Sequence, residues 1–253
     1  MPKRLLLAVL LVAGSPLAAQ ESQSQTISDD PAKDIALGAI EQMSAKLRTL
    51  DKFEVDVDAT TEEVFLNGEK LQFLNQVRYV VDRPDKLYAS IRSDRKYRRI
   101  YYNGSTLTVT APTLAFYATT PMTGTIGDLL DKATEKYGIE FPLQDLFEWG
   151  VKDEGQVKPT EAFLVGFAQV GDHATDQYFY RAEGVDFQLW IGRDDQLPYR
   201  MVITNTDDPA QPVYTAALTW KLDSDAAPER FTFTPSSDYK LIPLKPDDTV
   251  AAK

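Results

Sequence analysis

Alternating apolar and polar residues dominate the chain from residue 53 onward. Phe53, Val55 and Val57 fall on one side of the first such segment, and acidic or polar residues lie between them. This period of two predicts a half-buried β-strand. Asn67-Gly68 and Asn103-Gly104 are turn signals between later alternating segments, and short turns join antiparallel neighbours. The pattern therefore predicts an antiparallel meander of about eleven or twelve strands.

Three segments have helical periodicity instead. Asp30-Pro31 is typical of a helix start, and the apolar residues that follow it share one face. Thr125 and Asp128 fit a capping box, and Gly138 is a typical helix stop. A third, shorter helix is predicted over residues 142–149. The apolar face of the first helix consists of Ala36, Ile40, Met43, Leu47 and Leu50.

The order of these elements predicts an α+β fold. Helices at the start and in the middle of a long series of antiparallel strands favour one large curved sheet that wraps them. No sequence repeat or linker divides the chain. We therefore expect a single domain over residues 31–245 and a disordered tail at residues 246–253.

The N-terminus has the pattern of an export signal. Lys3 and Arg4 precede an apolar run at residues 5–13, and Ala18-Ala19 provides small residues at a cleavage site. We expect a signal peptide at residues 1–19 and a flexible leader at residues 20–30; a buried N-terminal helix is the alternative. Gln20 stands where lipidation needs Cys, so we expect a soluble periplasmic protein without a lipid anchor. No later run is long enough to cross a bilayer.

Composition removes several classes of function. The chain has 253 residues, 43% of them hydrophobic, with no Cys, one His and a net charge of −11. A core of ordinary size is therefore expected, whereas disulfides and thiolate metal sites are excluded. The acidic balance argues against binding of nucleic acid, which needs a basic face. We expect no cofactor and no metal site.

Four short phrases resemble those of a known group of proteins. They are YVVDRPDKL at residues 79–87, YNGSTL at 102–107, DLFEWG at 145–150 and ALTW at 217–220. In their order along the chain they resemble the LolA/LolB-like lipoprotein-carrier superfamily, and within it a family of predicted periplasmic proteins of unknown function. The resemblance implies a half-open antiparallel β-barrel closed by helices, with an inner cavity that accepts acyl chains.

Large apolar side chains are the candidates for lining that cavity. As ordinary residues they would belong to the core, whereas the resemblance makes them potential ligand contacts. Those on the helical insertion would form a lid over the barrel. The candidates are Phe73, Tyr79, Tyr117, Leu129, Leu130, Leu146, Trp149, Trp190 and Trp220.

Groups that could perform catalysis are sparse. His173 lies in a predicted turn, without the nucleophile and orienting carboxylate that a catalytic His needs. Adjacent carboxylates such as Asp207-Asp208 are typical of solvated turns.

A basic cluster is either a solvated sheet edge or a patch for lipid headgroups or an acidic partner. It comprises Arg92, Arg95, Lys96, Arg98 and Arg99.

The sequence thus predicts a non-enzymatic periplasmic protein that binds a lipid, an acyl chain or another hydrophobic ligand. The alternative is an envelope module that senses or binds a protein partner and fills its cavity with its own side chains. A hydrolase acting on envelope glycans or lipids is a third hypothesis, for which no nucleophile and base are visible.

Overall fold

The computed structural model describes residues 30–144, 147, 158–224 and 226–246. The signal peptide at residues 1–19, the leader before Asp30 and the tail after Pro246 are predictions that lie outside these residues.

A first meander of six strands follows the first helix. Consecutive strands pair antiparallel through short turns, as the alternation predicts. A short 3-10 helix, Pro112–Leu114, separates the last two. The strands are β1 (Lys52–Val64), β2 (Lys70–Asp82), β3 (Lys86–Ser93), β4 (Tyr97–Tyr102), β5 (Thr106–Ala111) and β6 (Phe116–Pro121).

A second meander of five strands occupies the C-terminal half. It comprises β7 (Glu161–Val170), β8 (His173–Ala182), β9 (Val185–Gly192), β10 (Pro198–Asn205) and β11 (Val213–Lys221). A 3-10 helix, Pro228–Phe231, and the two-residue strand β12 (Lys240–Leu241) follow.

The two meanders and β12 form one open sheet of 12 strands. They join where β1 pairs antiparallel with β11, and the order across the sheet is β12-β6-β5-β4-β3-β2-β1-β11-β10-β9-β8-β7. The pairing of β12 with β6 is parallel, and every other pairing is antiparallel. Among the described residues the edge strands β7 and β12 do not pair with each other. The predicted α+β class with one large antiparallel sheet is confirmed.

Two helices begin at the predicted caps. Helix α1 (Pro31–Arg48) starts after Asp30, whose carboxylate accepts the backbone N–H groups of Ala32 and Lys33. Helix α2 (Ile126–Tyr137) has the Thr125/Asp128 capping box and ends at Gly138 in the left-handed region. The third predicted helix lies largely outside the described residues: residues 142–144 form a turn, and Phe147 is helical.

Both helices pack on one side of the sheet, which we call the inner face. Phe53, Val55 and Val57 of β1 point to it, and their partners Val81, Tyr79 and Val77 of β2 do the same. These residues form one buried cluster with Met43 and Leu47 of α1 and with Leu129 and Leu130 of α2. The alternation that predicts the strands therefore also identifies the face that the helices cover.

The C-terminal segment crosses the opposite, outer face of the sheet and covers part of it. Val80 packs there against Ala226 and Phe231. The carboxylate of Glu54 accepts hydrogen bonds from Ser224 Oγ at 2.9 Å and from Arg230 Nη1 at 2.8 Å. The segment after β11 is thus attached by both apolar and ionic contacts.

Candidate functional site

A cleft of about 610 Å³ lies between α1 and strands β8 and β9. Ile35, Gly38 and Ala39 provide the helix side, and Tyr178 and Ile191 provide the sheet side. Gly38 leaves the helix side of the cleft open, since no atom lies within 4 Å of a Cβ built on it.

Polar side chains line the remaining surface of the cleft. Asp34 and Gln42 lie on the helix, Asp176 lies on β8, and Arg193 and Gln196 lie in the turn between β9 and β10. The guanidinium of Arg193 is 3.5 Å from the carboxylate of Asp176, and its side chain is more than half exposed. The cleft therefore combines an apolar wall with donors and acceptors, which suits an amphiphile rather than a pure hydrocarbon.

The edge strand β7 extends the apolar surface beside the cleft. Leu164 pairs with Tyr178, and Phe167 pairs with Asp176, so both side chains adjoin residues of the cleft. Phe167 is 64% exposed, and the guanidinium of Arg193 lies 5.8 Å from the centre of its ring. Large apolar side chains exposed on an edge strand are unusual in a soluble domain and indicate contact with a ligand or partner.

Four of the predicted cavity residues belong to the packed cluster on the inner face. Tyr79, Leu129 and Leu130 are almost completely buried in the main core. The ring of Tyr79 lies 4.9 Å from that of Phe147, and its hydroxyl donates to the carbonyl of Pro142 at 2.7 Å. Burial holds the pKa of Tyr79 well above its ordinary value, and the neighbouring Tyr214 adds to this. Trp220 packs against the same cluster, and its indole Nε1 donates to the carbonyl of Pro198 at 2.8 Å.

Three further candidates, Phe73, Tyr117 and Trp190, lie away from the packed cluster on the inner face. Phe73 lies at the far end of β2, where the guanidinium of Arg95 is 4.0 Å from its ring centre. Tyr117 packs against Phe233 on the outer face, and Trp190 lies on the outer face beneath Arg200. Leu146 and Trp149, the predicted lid residues, lie outside the described residues.

None of the predicted cavity residues that the structure describes lines the cleft. A signal for it is nonetheless present in α1, where Asp34, Gly38 and Gln42 recur every fourth residue beside the buried face. A stripe of small and polar residues next to an apolar stripe marks a helix side that is neither core nor ordinary surface. The strands opposite that stripe cannot be identified from the sequence, because the contact between α1 and the second meander is long-range.

Tyr214 on β11 is a second residue that the sequence does not single out. It pairs with Thr61 and packs against the main core. Its hydroxyl is buried and has no hydrogen-bond partner among the described residues. Burial raises the pKa of Tyr214 to about 12, so the phenol is neutral at physiological pH. Only the packed structure shows that the hydroxyl is unsatisfied.

Groups considered for catalysis have structural surroundings. His173 is exposed, and its ring stacks on Tyr199 with centres 3.7 Å apart. Asp208 accepts the backbone N–H of Ala210, as in an ordinary turn. Within the described ranges, no three acidic or His side chains are grouped as a metal site would require.

Two of the recognised phrases have clear roles at turns. In the phrase at residues 79–87, Arg83 Nε donates to the carbonyl of Leu50 at 3.1 Å and ties the β2–β3 turn to the end of α1. Burial lowers the pKa of Arg83, although the carboxylate of Asp51 opposes this. In the phrase at residues 102–107, Asn103 Oδ1 accepts the backbone N–H groups of Ser105 and Thr106. These residues position elements of the fold.

The chain matches the family described as "Predicted periplasmic protein (DUF2092)" over residues 36–245, and it belongs to that family. The match confirms the resemblance to a family of predicted periplasmic proteins. No curated protein matches the sequence. In the part of the chain that the structure describes, neither helix is both long and apolar enough to span a bilayer.

Several solved structures are similar to this chain at low identity. LprF from Mycobacterium bovis is 13% identical with a TM-score of 0.45, and the match covers 78% of this chain and 99% of that one. A LolA superfamily protein from Nitrosomonas europaea is 13% identical with a TM-score of 0.36, and the match covers 78% of this chain and 97% of that one. The MucA/MucB complex of Pseudomonas aeruginosa is 14% identical with a TM-score of 0.42, and the match covers 82% of this chain but only 63% of that one. These likenesses assign neither a ligand nor a partner to this chain.

Proposed function

We propose that this chain is a periplasmic binding protein without enzymatic activity that holds an acyl chain or another hydrophobic ligand. The observation that carries the proposal is the cleft between α1 and strands β8 and β9, together with the exposed Leu164 and Phe167 beside it. The signal at residues 1–19 would direct export. Because Gln20 is not a lipidation site, the mature chain would be soluble and free of a lipid anchor.

The walls of the cleft suggest how such a ligand is held. Its alkyl part would lie along Ile35, Ala39 and Ile191, and burial of each methylene contributes about 0.8 kcal/mol. Its polar end would meet Arg193 and Gln196 in the turn between β9 and β10. Arg193 is already paired with Asp176, so a carboxylate or phosphate headgroup would have to compete with that ion pair.

A second function is favoured by the packing of the inner face. Tyr79, Leu129 and Leu130 are predicted to line a cavity, yet α2 and Phe147 fill the space around them. This packing supports the alternative, an envelope interaction or sensor module whose cavity is filled by its own side chains. In that case the exposed residues of β7 would meet a protein partner. A ligand among the predicted lining residues would require displacement of α2.

Native mass spectrometry of the mature protein, purified from its own periplasm without detergent, tests the two functions. A released mass in the lipid range would support the binding protein. A bare chain that also fails to bind cis-parinaric acid, a fluorescent fatty acid, would favour the self-filled module.

The substitution Gly38→Leu locates the ligand. The new side chain enters the cleft without meeting an atom at its Cβ, and leucine is the better helix former by about 1 kcal/mol. We expect about a tenfold loss of cis-parinaric acid binding or more in a protein of unchanged or higher stability. The matched control is Ala45→Leu. Ala45 is an exposed residue that lies about 10 Å farther along α1 and does not line the cleft. Unchanged binding by the Gly38 variant would exclude the cleft as the site.

A further inference from the structure

The end of the β1–β2 hairpin exposes a cluster of large apolar side chains. Leu66 is fully exposed at the tip, whereas the exposed Leu74 lies farther down β2 and points to the other face from Leu71. Phe65 and Leu71 are also exposed, and the ring of Phe65 stacks near that of Phe73. Exposed apolar residues concentrated at one projecting tip are uncommon in a soluble domain and mark a contact surface.

An ordered turn holds these residues outward. The backbone N–H of Phe65 donates to the carbonyl of Glu69 at 2.9 Å, and that of Gly68 donates to the carbonyl of Phe65 at 2.8 Å. Gly68 has a φ of 84°, which completes a three-residue loop. The side chain of Asn67 accepts the backbone N–H of Glu69 at 3.2 Å. Leu66 is therefore displayed by hydrogen-bonded backbone.

A basic turn packs against the side of this hairpin, below its tip. The turn between β3 and β4 is joined to the hairpin where Leu74 N–H donates to the carboxylate of Asp94 at 3.0 Å. Residues 92–99 include five basic side chains and one acidic side chain, in a chain whose net charge is −11. Arg95 also lies 3.1 Å from the carboxylate of Glu63.

The acidic groups of the hairpin are partly neutralised by such pairs. The carboxylate of Glu62 lies 3.2 Å from the ammonium of Lys70, and a hydrogen bond from Gln72 leads the causes that lower the pKa of Glu62. Glu69 remains as a further acidic residue at the tip. The net charge of the hairpin end together with residues 92–99 is still positive, whereas that of the whole chain is negative.

Charge is divided between the two meanders at this end of the sheet. The β5–β6 turn belongs to the same end as the hairpin tip and exposes Leu114. The turns of the second meander at this end carry Glu183, Asp207 and Asp208 instead. An anionic surface would therefore be attracted to the first meander and repelled by the second.

We propose that this surface docks the protein on an anionic phospholipid bilayer. The docking surface is defined by Phe65, Leu66, Leu71, Arg95 and Lys96. Leu66 at the projecting tip would enter the interfacial region with Phe65 and Leu71 beside it, while Arg95 and Lys96 meet lipid phosphates. A projecting tip suits a bilayer better than a folded protein partner, which needs a broad complementary area. The proposal does not depend on the ligand cleft, which lies between α1 and the second meander.

Flotation of the full mature chain with vesicles tests this proposal. We expect binding to vesicles of phosphatidylethanolamine and phosphatidylglycerol, weaker binding to phosphatidylcholine alone, and a decrease as salt rises. Leu66→Asp should lower the vesicle-bound fraction about tenfold because it removes the apolar insertion. Lys96→Glu should lower it about fivefold or more, since each basic residue near an anionic surface contributes measurably.

Matched controls keep the test specific. Leu222→Asp places the same change at an exposed leucine at the opposite end of β11, and Lys136→Glu makes the same charge change on α2. Both should bind vesicles as the wild type does, and so should Gly38→Leu. The proposal is overturned if the wild type does not bind anionic vesicles at low salt. That result would be expected if the surface served an acidic protein instead. Equal loss in Leu66→Asp and Leu222→Asp would overturn it as well.

Discussion

The two faces of the sheet both carry aromatic residues, but they bury them by different means. On the inner face, α1 and α2 cover Tyr79 and Tyr180, which are inaccessible to solvent. On the outer face, Tyr117 and Trp190 remain partly exposed, and the C-terminal segment covers part of the surface. Aromatic content alone therefore does not identify a cavity. The face to which a side chain points, and the element that covers that face, decide its environment.

The largest expected effect comes from truncating one aromatic residue on each face. Tyr79→Ala removes a buried ring and its hydrogen bond to Pro142, and it should lower the free energy of unfolding by about 3–5 kcal/mol. Trp190→Ala should lower it by about 1 kcal/mol, because the ring is partly exposed and its main partner is Arg200. Urea denaturation followed by far-UV circular dichroism measures both. Similar losses for the two variants would contradict the difference between the faces.

An intermediate effect is expected where the C-terminal segment meets the outer face. Arg230→Met removes the hydrogen bond to Glu54 and should lower the free energy of unfolding at pH 7 by about 1–3 kcal/mol. Burial alone would raise the pKa of Glu54, but hydrogen bonds from Ser224 and Arg230 outweigh it, so the pKa is lowered.

The lowered pKa of Glu54 fixes the sign of a pH dependence. Its contribution to stability is present above the ordinary value of 4.5 and is lost as the pH falls through the lower folded value. The wild type should therefore lose more stability than Arg230→Met between pH 7 and pH 3. Urea denaturation of both proteins at the two pH values measures this. A parallel pH dependence would show that the ion pair does not hold the segment.

The smallest effect is expected at Tyr214. Tyr214→Phe removes a buried hydroxyl that has no hydrogen-bond partner among the described residues, so we expect an increase in the free energy of unfolding of up to about 1 kcal/mol. Tyr180→Phe is the matched control, because its hydroxyl donates to the carbonyl of Ala36 at 2.8 Å and its loss should destabilise by about 1 kcal/mol. Thermal denaturation compares the two. A destabilised Tyr214→Phe protein would indicate that this hydroxyl has a bonding partner in solution.

Local patterns were sufficient for most elements of the fold. The alternation from Phe53 predicts the strand and its inner face, and Asp30 and Thr125 predict the starts of the helices. Even the outward direction of Trp190 can be read from its neighbours, since Leu189 and Ile191 alternate with it and point inward. The pairing of β1 with β11 and the cleft beside α1 cannot be read in this way, because periodicity and turn chemistry describe only neighbours along the chain.

The position of β1 has a consequence for how the chain folds. Its two neighbours in the sheet are β2, which follows it directly, and β11, whose Lys221 pairs with Glu54 from the other end of the domain. A chain that emerges N-terminus first can form the hairpin of β1 and β2 early, but one edge of β1 stays unpaired until almost the whole domain has emerged. Closing so long a loop slows folding, and an unpaired strand edge invites aggregation meanwhile. An exported chain of this design would depend on protection of β1 during translocation.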